Sequence, residues 1–388
     1  MIVCLLMRES ADLSRLAVTG AVGFLALGAF ASVVGPTTPR LRAEFGLDTS
    51  QCAWLLAAFS AGSALGVVAA GLVRRRRPVL LLTAGAALMA VGAAALPLVS
   101  GVGAAVLCLL VAGTGFGVVD IVLNLTLATS FGSRGGAVLT ALSAAFGLGA
   151  VVTPVVVGWT PTELGVPYWG CAAVAVALLC LTVGLRLPTT PTVTTSSARR
   201  SGLVVPALAL VLLCYVAVEA STAGWATTHL ATFLTDGQAS GAVAVFWLGL
   251  AAGRLSAAPL LLRHDPGALV VACSIAGALA AALTSYTPLA VIAYGLVGLT
   301  IAPVFPAAIT WHTTRVPTGR GATAIFTAAL AGPLLASPLI GLLTREAGVG
   351  VVPWALSGLA LLTATIAFTT RRFHDEAPIV APHPQRLS

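Results

Sequence analysis

The 388-residue sequence contains no lysine, and all twenty of its basic residues are arginine. Charged residues of both signs make up 8% of the chain, where a soluble domain carries about 25%. With 58% hydrophobic residues, a soluble core of this length leaves too little polar surface to stay dissolved. A continuous basic block is also missing. The arginines stand in short stretches between apolar runs, so the net charge of +8 does not mark a nucleic-acid-binding domain. The seven cysteines form no CxxC pair, and Cys108, Cys180, Cys214 and Cys273 lie inside apolar runs, where a thiol serves as a small buried hydrophobe. No GxxxxGK[ST] loop, no metal-ligand spacing and no Ser-His-Asp arrangement occurs. ATP-driven transport by this chain alone, a metal centre and hydrolytic chemistry are therefore not expected, and no cofactor is expected.

What the chain has instead is a succession of continuous apolar runs, without the strict alternation of β-barrel strands. A helix crosses a bilayer with about 20 residues. Twelve spans are predicted, at about 15–35, 50–73, 78–99, 103–129, 135–159, 167–187, 203–234, 238–262, 266–286, 288–311, 319–343 and 349–370. The fold class is an all-α membrane protein. With the N-terminus inside, sixteen arginines fall on the cytoplasmic side (8, 15, 74–77, 134, 186, 199, 200, 263, 315, 320, 371, 372, 386) and three outside (40, 42, 345), with Arg254 inside a span. This asymmetry predicts both termini in the cytoplasm. At the start, 1–7 is apolar but too short for a signal segment, and Met7 is a second candidate start.

The stretch 188–202 is rich in Thr, Ser and Pro and reads as a cytoplasmic linker. It divides the chain into halves at 1–187 and 203–371, followed by a tail at 372–388. The halves match. Phe59-Ser-Ala-Gly62-Ser-Ala-Leu-Gly66 aligns with Phe246-Trp-Leu-Gly249-Leu-Ala-Ala-Gly253 at an offset of 187 (246 − 59), and Arg76 falls on Arg263. Ser133-Arg134-Gly135 matches Gly319-Arg320-Gly321 at an offset of 186 (319 − 133). Six spans followed by six in the same orientation form a parallel repeat, which encloses a site near the bilayer midplane.

Three charges fall within spans: Asp120, Glu219 and Arg254. An acid at mid-helix costs roughly 2.5–3.5 kcal/mol on insertion. Asp120 follows Gly113, Gly115 and Gly117, which let a neighbouring helix come close. Asn124, four residues on, shares its helix face. Either Asp120 takes and gives a proton as the cavity changes sides, or it is a structural acid satisfied within the bundle. Asn124 orients it, binds a solute hydroxyl or joins two helices. Tyr215 lies four residues before Glu219, and the length of the seventh span predicts a tilt, a break or an outer extension near Gly224. Arg254 is a structural ion-pair partner, a counter-charge to either acid or an anchor for an anionic solute. Trp225 and Trp247 either stack on a ring-shaped solute or pack. His229 and His312 read as interfacial.

Twelve spans in two halves, with a basic loop after the second, resemble the major facilitator superfamily over nearly the whole chain. In detail the chain resembles the fucose–proton symporter branch. The segments that carry this are Gly115-Phe-Gly-Val-Val-Asp120-Ile-Val-Leu-Asn124, Tyr215-Val-Ala-Val-Glu219-Ala-Ser-Thr-Ala-Gly224-Trp225, Phe246-Trp247-Leu-Gly249-Leu-Ala-Ala-Gly253-Arg254 and Ala302-Pro303-Val-Phe305-Pro306. The superfamily's Gly-x-Leu-Ala-Asp-Arg loop is here Gly71-Leu-Val followed by Arg74–Arg77, without the Asp. The acid that the fucose branch places late in the first span is missing from 31–36, so the resemblance does not extend to fucose. Gly149, Pro154 and Gly158 meet half of the superfamily's antiporter motif.

The resemblance implies two six-helix repeats that rock around a central cavity in the cytoplasmic membrane. The expected function is proton-coupled transport of a small, sugar-like or otherwise polar solute. The alternatives are proton antiport exporting a drug or secondary metabolite, and a non-transporting receptor or scaffold. No enzyme activity is expected. Asp120 and Glu219 are the expected proton-coupling residues; Asn124, Tyr215, Trp225, Trp247 and Arg254 are the expected solute-binding residues. Expected partners are a small-molecule substrate, protons and the lipid bilayer, with no nucleic acid, and the chain is expected to act as a monomer. The repeat sets Phe305 opposite Asp120 at an offset of 185 (305 − 120). The two halves therefore contribute their carboxylates from non-equivalent positions.

Overall fold

The computed structural model describes residues 11–73, 78–131, 135–160, 162–185, 204–315 and 322–375. Met7, Arg74–Arg77 and the linker 188–202 lie outside the described residues. The chain forms thirteen α-helices among these: α1 (Ala11–Phe45), α2 (Cys52–Val73), α3 (Pro78–Ala95), α4 (Val102–Ser130), α5 (Gly135–Trp159), α6 (Gly165–Thr182), α7 (Val204–Leu230), α8 (Asp236–Arg263), α9 (Pro266–Leu283), α10 (Ala290–Ile301), α11 (Val304–Arg315), α12 (Ala322–Ala347) and α13 (Val352–Asp375). Eleven stretches are long and apolar enough to cross a membrane, and Ala144–Trp159 is a shorter apolar one. Because α10 and α11 share one crossing, Thr287–His312, the helices make twelve crossings.

The repeat is visible in the packing. In the first half α1 packs on α5, α2 on α4, and α3 on α6; in the second α7 packs on α12, α8 on α10, and α9 on α13. Glycine makes the same contacts in both. A Cβ added to Gly62 would lie 2.2 Å from the Leu110 carbonyl oxygen, and one on Gly249 would lie 2.0 Å from that of Gly295. One on Gly113 would meet the Phe59 carbonyl oxygen at 2.2 Å, and one on Gly298 the Phe246 carbonyl oxygen at 2.2 Å. Backbones this close leave room for no side chain, which is why small residues mark these faces.

The first and tenth spans differ from expectation, and of the alternatives for the seventh the break is excluded. The first helix does not stop at Gly35-Pro36; it runs through Pro36 and Pro39 to Phe45. Proline removes a backbone donor and normally breaks a helix, but tertiary partners hold this segment in place. The Thr37 hydroxyl bonds the Tyr168 hydroxyl at 3.0 Å, and the Arg40 guanidinium donates to the carbonyls of Val157 and Glu163. The seventh helix is unbroken at Gly224. That glycine fits against Leu56 of α2, and beside it a Cβ on Gly35 of α1 would lie 2.0 Å from the Ala223 carbonyl oxygen. The break falls instead in the tenth crossing, at Ala302-Pro303, where Pro303 and Pro306 lack the donors a continuous helix needs.

The closest glycine contacts between the halves gather at one end of the bundle. Besides Gly35 with Ala223, a Cβ on Gly158 of α5 would meet the Gly237 carbonyl oxygen of α8 at 2.8 Å, and one on Gly341 of α12 would meet Ala53 of α2 at 2.5 Å. The Ser240 hydroxyl of α8 donates to the Pro36 carbonyl at 2.8 Å. At this end Asp48 accepts from the Ser50 hydroxyl and the Gln51 amide before α2 begins. The Ser50 hydroxyl holds its carboxyl below the usual carboxylate range. Four of the seven tryptophans, Trp54, Trp159, Trp169 and Trp354, and also Tyr286, sit at this end and are at least half exposed. Amphipathic rings of this kind gather at a membrane–water boundary.

Candidate functional site

The three glycines of α4 seat it between two neighbours. A Cβ on Gly113 or Gly117 would lie 2.2 or 2.0 Å from carbonyl oxygens of α2, and one on Gly115 would lie 2.4 Å from the Gly85 carbonyl oxygen of α3. With those faces occupied, Phe116, Asp120 and Asn124, spaced four apart, form a half-buried stripe directed elsewhere. Asn124 is tied to Asp120: its amide donates at 2.9 Å to the carboxylate and at 2.9 Å to the backbone carbonyl of Asp120. Phe116 meets Phe59 of α2 edge-on, with centroids 5.3 Å apart.

On the other side, α7 presents Tyr215 and Glu219 on one face. The buried Tyr215 hydroxyl donates to one oxygen of Glu219, and Arg254 of α8 donates to the other at 3.2 Å. The Arg254 side chain is 43% exposed and that of Glu219 17%, so the pair lines an open space rather than a sealed core. Arg254 also attracts Asp120 electrostatically across the halves. The centre thus holds two carboxylates and one guanidinium. Among the described residues Arg254 makes its ion pair with Glu219, and no ion pair joins Asp120 to either.

Aromatic rings complete the wall. The Arg254 guanidinium lies over the Phe146 ring of α5, 5.6 Å from its centroid. Phe146 in turn meets the buried Trp247 of α8 edge-on at 5.9 Å, and Phe305, just past the break in the tenth crossing, lies 6.0 Å from the Tyr215 ring. Asp120, Asn124, Tyr215, Glu219 and Arg254 are therefore brought together, and Trp247 joins them through Phe146. Trp225 stands apart. It is 1% exposed, and its ring lies beside Gly341 of α12, at the contact with Ala53 of α2. The N–H groups of Trp225 and Trp247 have no hydrogen-bond partner among the described residues.

The side chains of His229 and His312 are both buried within the protein. His229 bonds the Tyr294 hydroxyl at 3.0 Å, a long-range pairing that sequence spacing does not reveal. Sequence reasoning missed Phe146, whose one signal was an aromatic in a helix of small residues. It noted Phe305 as the repeat mate of Asp120 and as part of a family segment, not as a wall of the site.

The family model described as Major Facilitator Superfamily matches residues 20–331. No curated protein sequence matches the chain. Among solved structures, a D-xylose–proton symporter superposes with a TM-score of 0.79 at 14% identity, covering 93% of this chain and 98% of that one. The xylose transporter XylE from E. coli, in a partially occluded inward-open conformation, gives 0.75 at 13% identity over 93% and 98%. The nucleoside transporter NupG gives 0.69 at 14% identity over 95% and 100%. At such identities the likeness is one of fold.

Proposed function

The chain belongs to the Major Facilitator Superfamily and is a membrane transporter, not an enzyme, and from that premise we propose that it couples proton movement to the passage of a small polar solute across the cytoplasmic membrane. The observation that carries this reading is the balance of charge at the centre: Arg254 pairs with Glu219, while Asp120 is held by Asn124 and has no ion-pair partner among the described residues. With Glu219 neutralised by Arg254 and Tyr215, Asp120 leaves one negative charge at the centre. A proton on Asp120 cancels it, so the loaded protein changes sides without carrying an unpaired charge through a low-dielectric interior. One charge crossing 100 mV supplies about 2.3 kcal/mol, enough for a gradient of roughly fiftyfold.

In this reading the halves 1–187 and 203–371 rock about the centre, joined by 188–202, and the chain works as a monomer. The arginine-rich end and the tail 372–388 lie in the cytoplasm, which puts the joined, tryptophan-bearing end outside. The conformation described is then closed to the outside. Asn124, Tyr215, Trp247 and Arg254 face the solute; Trp225 serves the seam between the halves. A sugar or nucleoside is the first solute to try, since the fold likeness includes transporters of xylose and of nucleosides.

Proton antiport is a second reading, favoured by α5. Gly149 and Gly158 there both sit at close backbone approaches, to Leu25 and Gly237, around Pro154. Purified protein in proteoliposomes with an internal pH dye tests both. D-xylose, uridine and tetraphenylphosphonium are added outside in turn. Interior acidification reports symport and alkalinisation reports antiport, and Asp120→Asn removes either signal. Proton-linked flux unchanged in Asp120→Asn would sink the assignment of that residue.

A further inference from the structure

Arg254 has two carboxylates within reach of its charge and makes its ion pair with one. Its side chain is long and 43% exposed, so something must hold it. The element in contact with it from the other half is α5, through the ring of Phe146 at 5.6 Å. A guanidinium within about 6 Å of a ring centroid is attracted to the negative face of the ring. The ring is itself held in two ways. Trp247 meets it edge-on, with planes at 64°. Its backbone is pressed against α1, where a Cβ on Gly28 would lie 1.9 Å from the Phe146 carbonyl oxygen. Phe146 is thus a held ring of the first half in contact with a cation of the second.

We propose that Phe146 is a positioning residue that holds the Arg254 guanidinium on Glu219 and away from Asp120. The consequence for transport rests on the reading above. When α5 and α8 shift relative to one another, the ring leaves the guanidinium and Arg254 is released toward Asp120. The arrangement of the halves then decides which carboxylate the arginine serves. Leucine at 146 would fill the space without a π face; tyrosine would keep the face.

The test needs no solute. Phenylalanine bearing one, two or three ring fluorines is placed at 146 in the full chain, and melting is followed in a fixed detergent. Fluorine drains the ring face while leaving its bulk nearly unchanged, so a role in packing alone gives a flat series. The expected result is a fall of about 0.5 °C per fluorine, absent when Glu219→Gln and Arg254→Gln remove the ion pair together. Placement is read by a second cycle. Asp120→Asn should change melting little with Phe146 present and more with Phe146→Leu, because the freed arginine then rests on Asp120. Phe146→Tyr should behave as the natural chain does. A flat fluorine series overturns the contact. An equal effect of Asp120→Asn in all three backgrounds overturns the positioning role. Either result leaves the transport reading to its own flux assay.

Discussion

Replacing Gly113 with alanine asks how firmly the acid-bearing helix is seated, and the repeat supplies a duplicate of the experiment at Gly298. In each case the added methyl would stand 2.2 Å from a carbonyl oxygen, that of Phe59 or of Phe246. Ordinary contact begins at 3.4 Å, so each helix pair must part by 1.2 Å (3.4 − 2.2). The obstacle is backbone, which cannot swing aside as a side chain can. Overpacking of this kind costs about 1–3 kcal/mol, and the better helix propensity of alanine returns at most about 1 kcal/mol. A net loss of about 1–2 kcal/mol should lower the melting temperature by about 1–3 °C. Gly358 of α13 is the control, since nothing lies within 4 Å of a Cβ there; alanine at 358 should be neutral or slightly stabilising. Melting of the three purified variants in one detergent decides the matter. Similar behaviour in all three would refute the claim that glycine contacts seat α4 and α10. A second readout separates the halves: Gly113→Ala should also reduce proton flux, because Asp120 lies two turns further along the same helix.

Breaking the central ion pair should be costly and removing it whole should not. A buried pair that loses one partner costs about 3–5 kcal/mol and an exposed pair about 0–1 kcal/mol. With side chains 43% and 17% exposed, Arg254→Gln should cost about 1–2 kcal/mol by melting. Adding Glu219→Gln should restore most of that loss, and simple additivity would count against the pairing. Arg40→Gln should loosen the joined end, because the guanidinium ties α1 to the carbonyls of Val157 and Glu163. Faster amide exchange confined to 36–45 and the end of α5 at 156–160 is the expected result; unchanged exchange would show that Arg40 does not hold this end.

The twelve crossings were legible because apolar runs and their Gly, Pro and charge breaks are local signals, and α5 spans 135–159 as its sequence predicts. The repeat was legible as well, since Gly62 and Gly66 return as Gly249 and Gly253 for a physical reason, backbone approach. The ends of α1 and the course of α7 were not. Pro36 and Pro39 read as a stop, yet contacts from Tyr168, Val157, Glu163 and Ser240 hold the helix, and all four lie more than 100 residues away. Gly224 reads as a hinge in isolation but is a packing surface for Leu56. In the site, helix spacing made Tyr215 with Glu219 and Asp120 with Asn124 readable. The pairing of Arg254 with Glu219 and the ring of Phe146 beside it depend on how helices far apart in sequence meet, which no local pattern records.

The exposed rings at one end of the bundle bear on how the protein sits in its surroundings. Trp54, Trp159, Trp169 and Trp354 all belong to the end where the halves touch. Rings of this kind favour a membrane–water boundary, so in a bilayer they would hold the molecule at a single waterline. A thicker or thinner bilayer would then be accommodated at the opposite rim, where α2 ends at Val73, α4 at Ser130 and α11 at Arg315. A change in membrane thickness would strain those helix ends and leave the seam undisturbed.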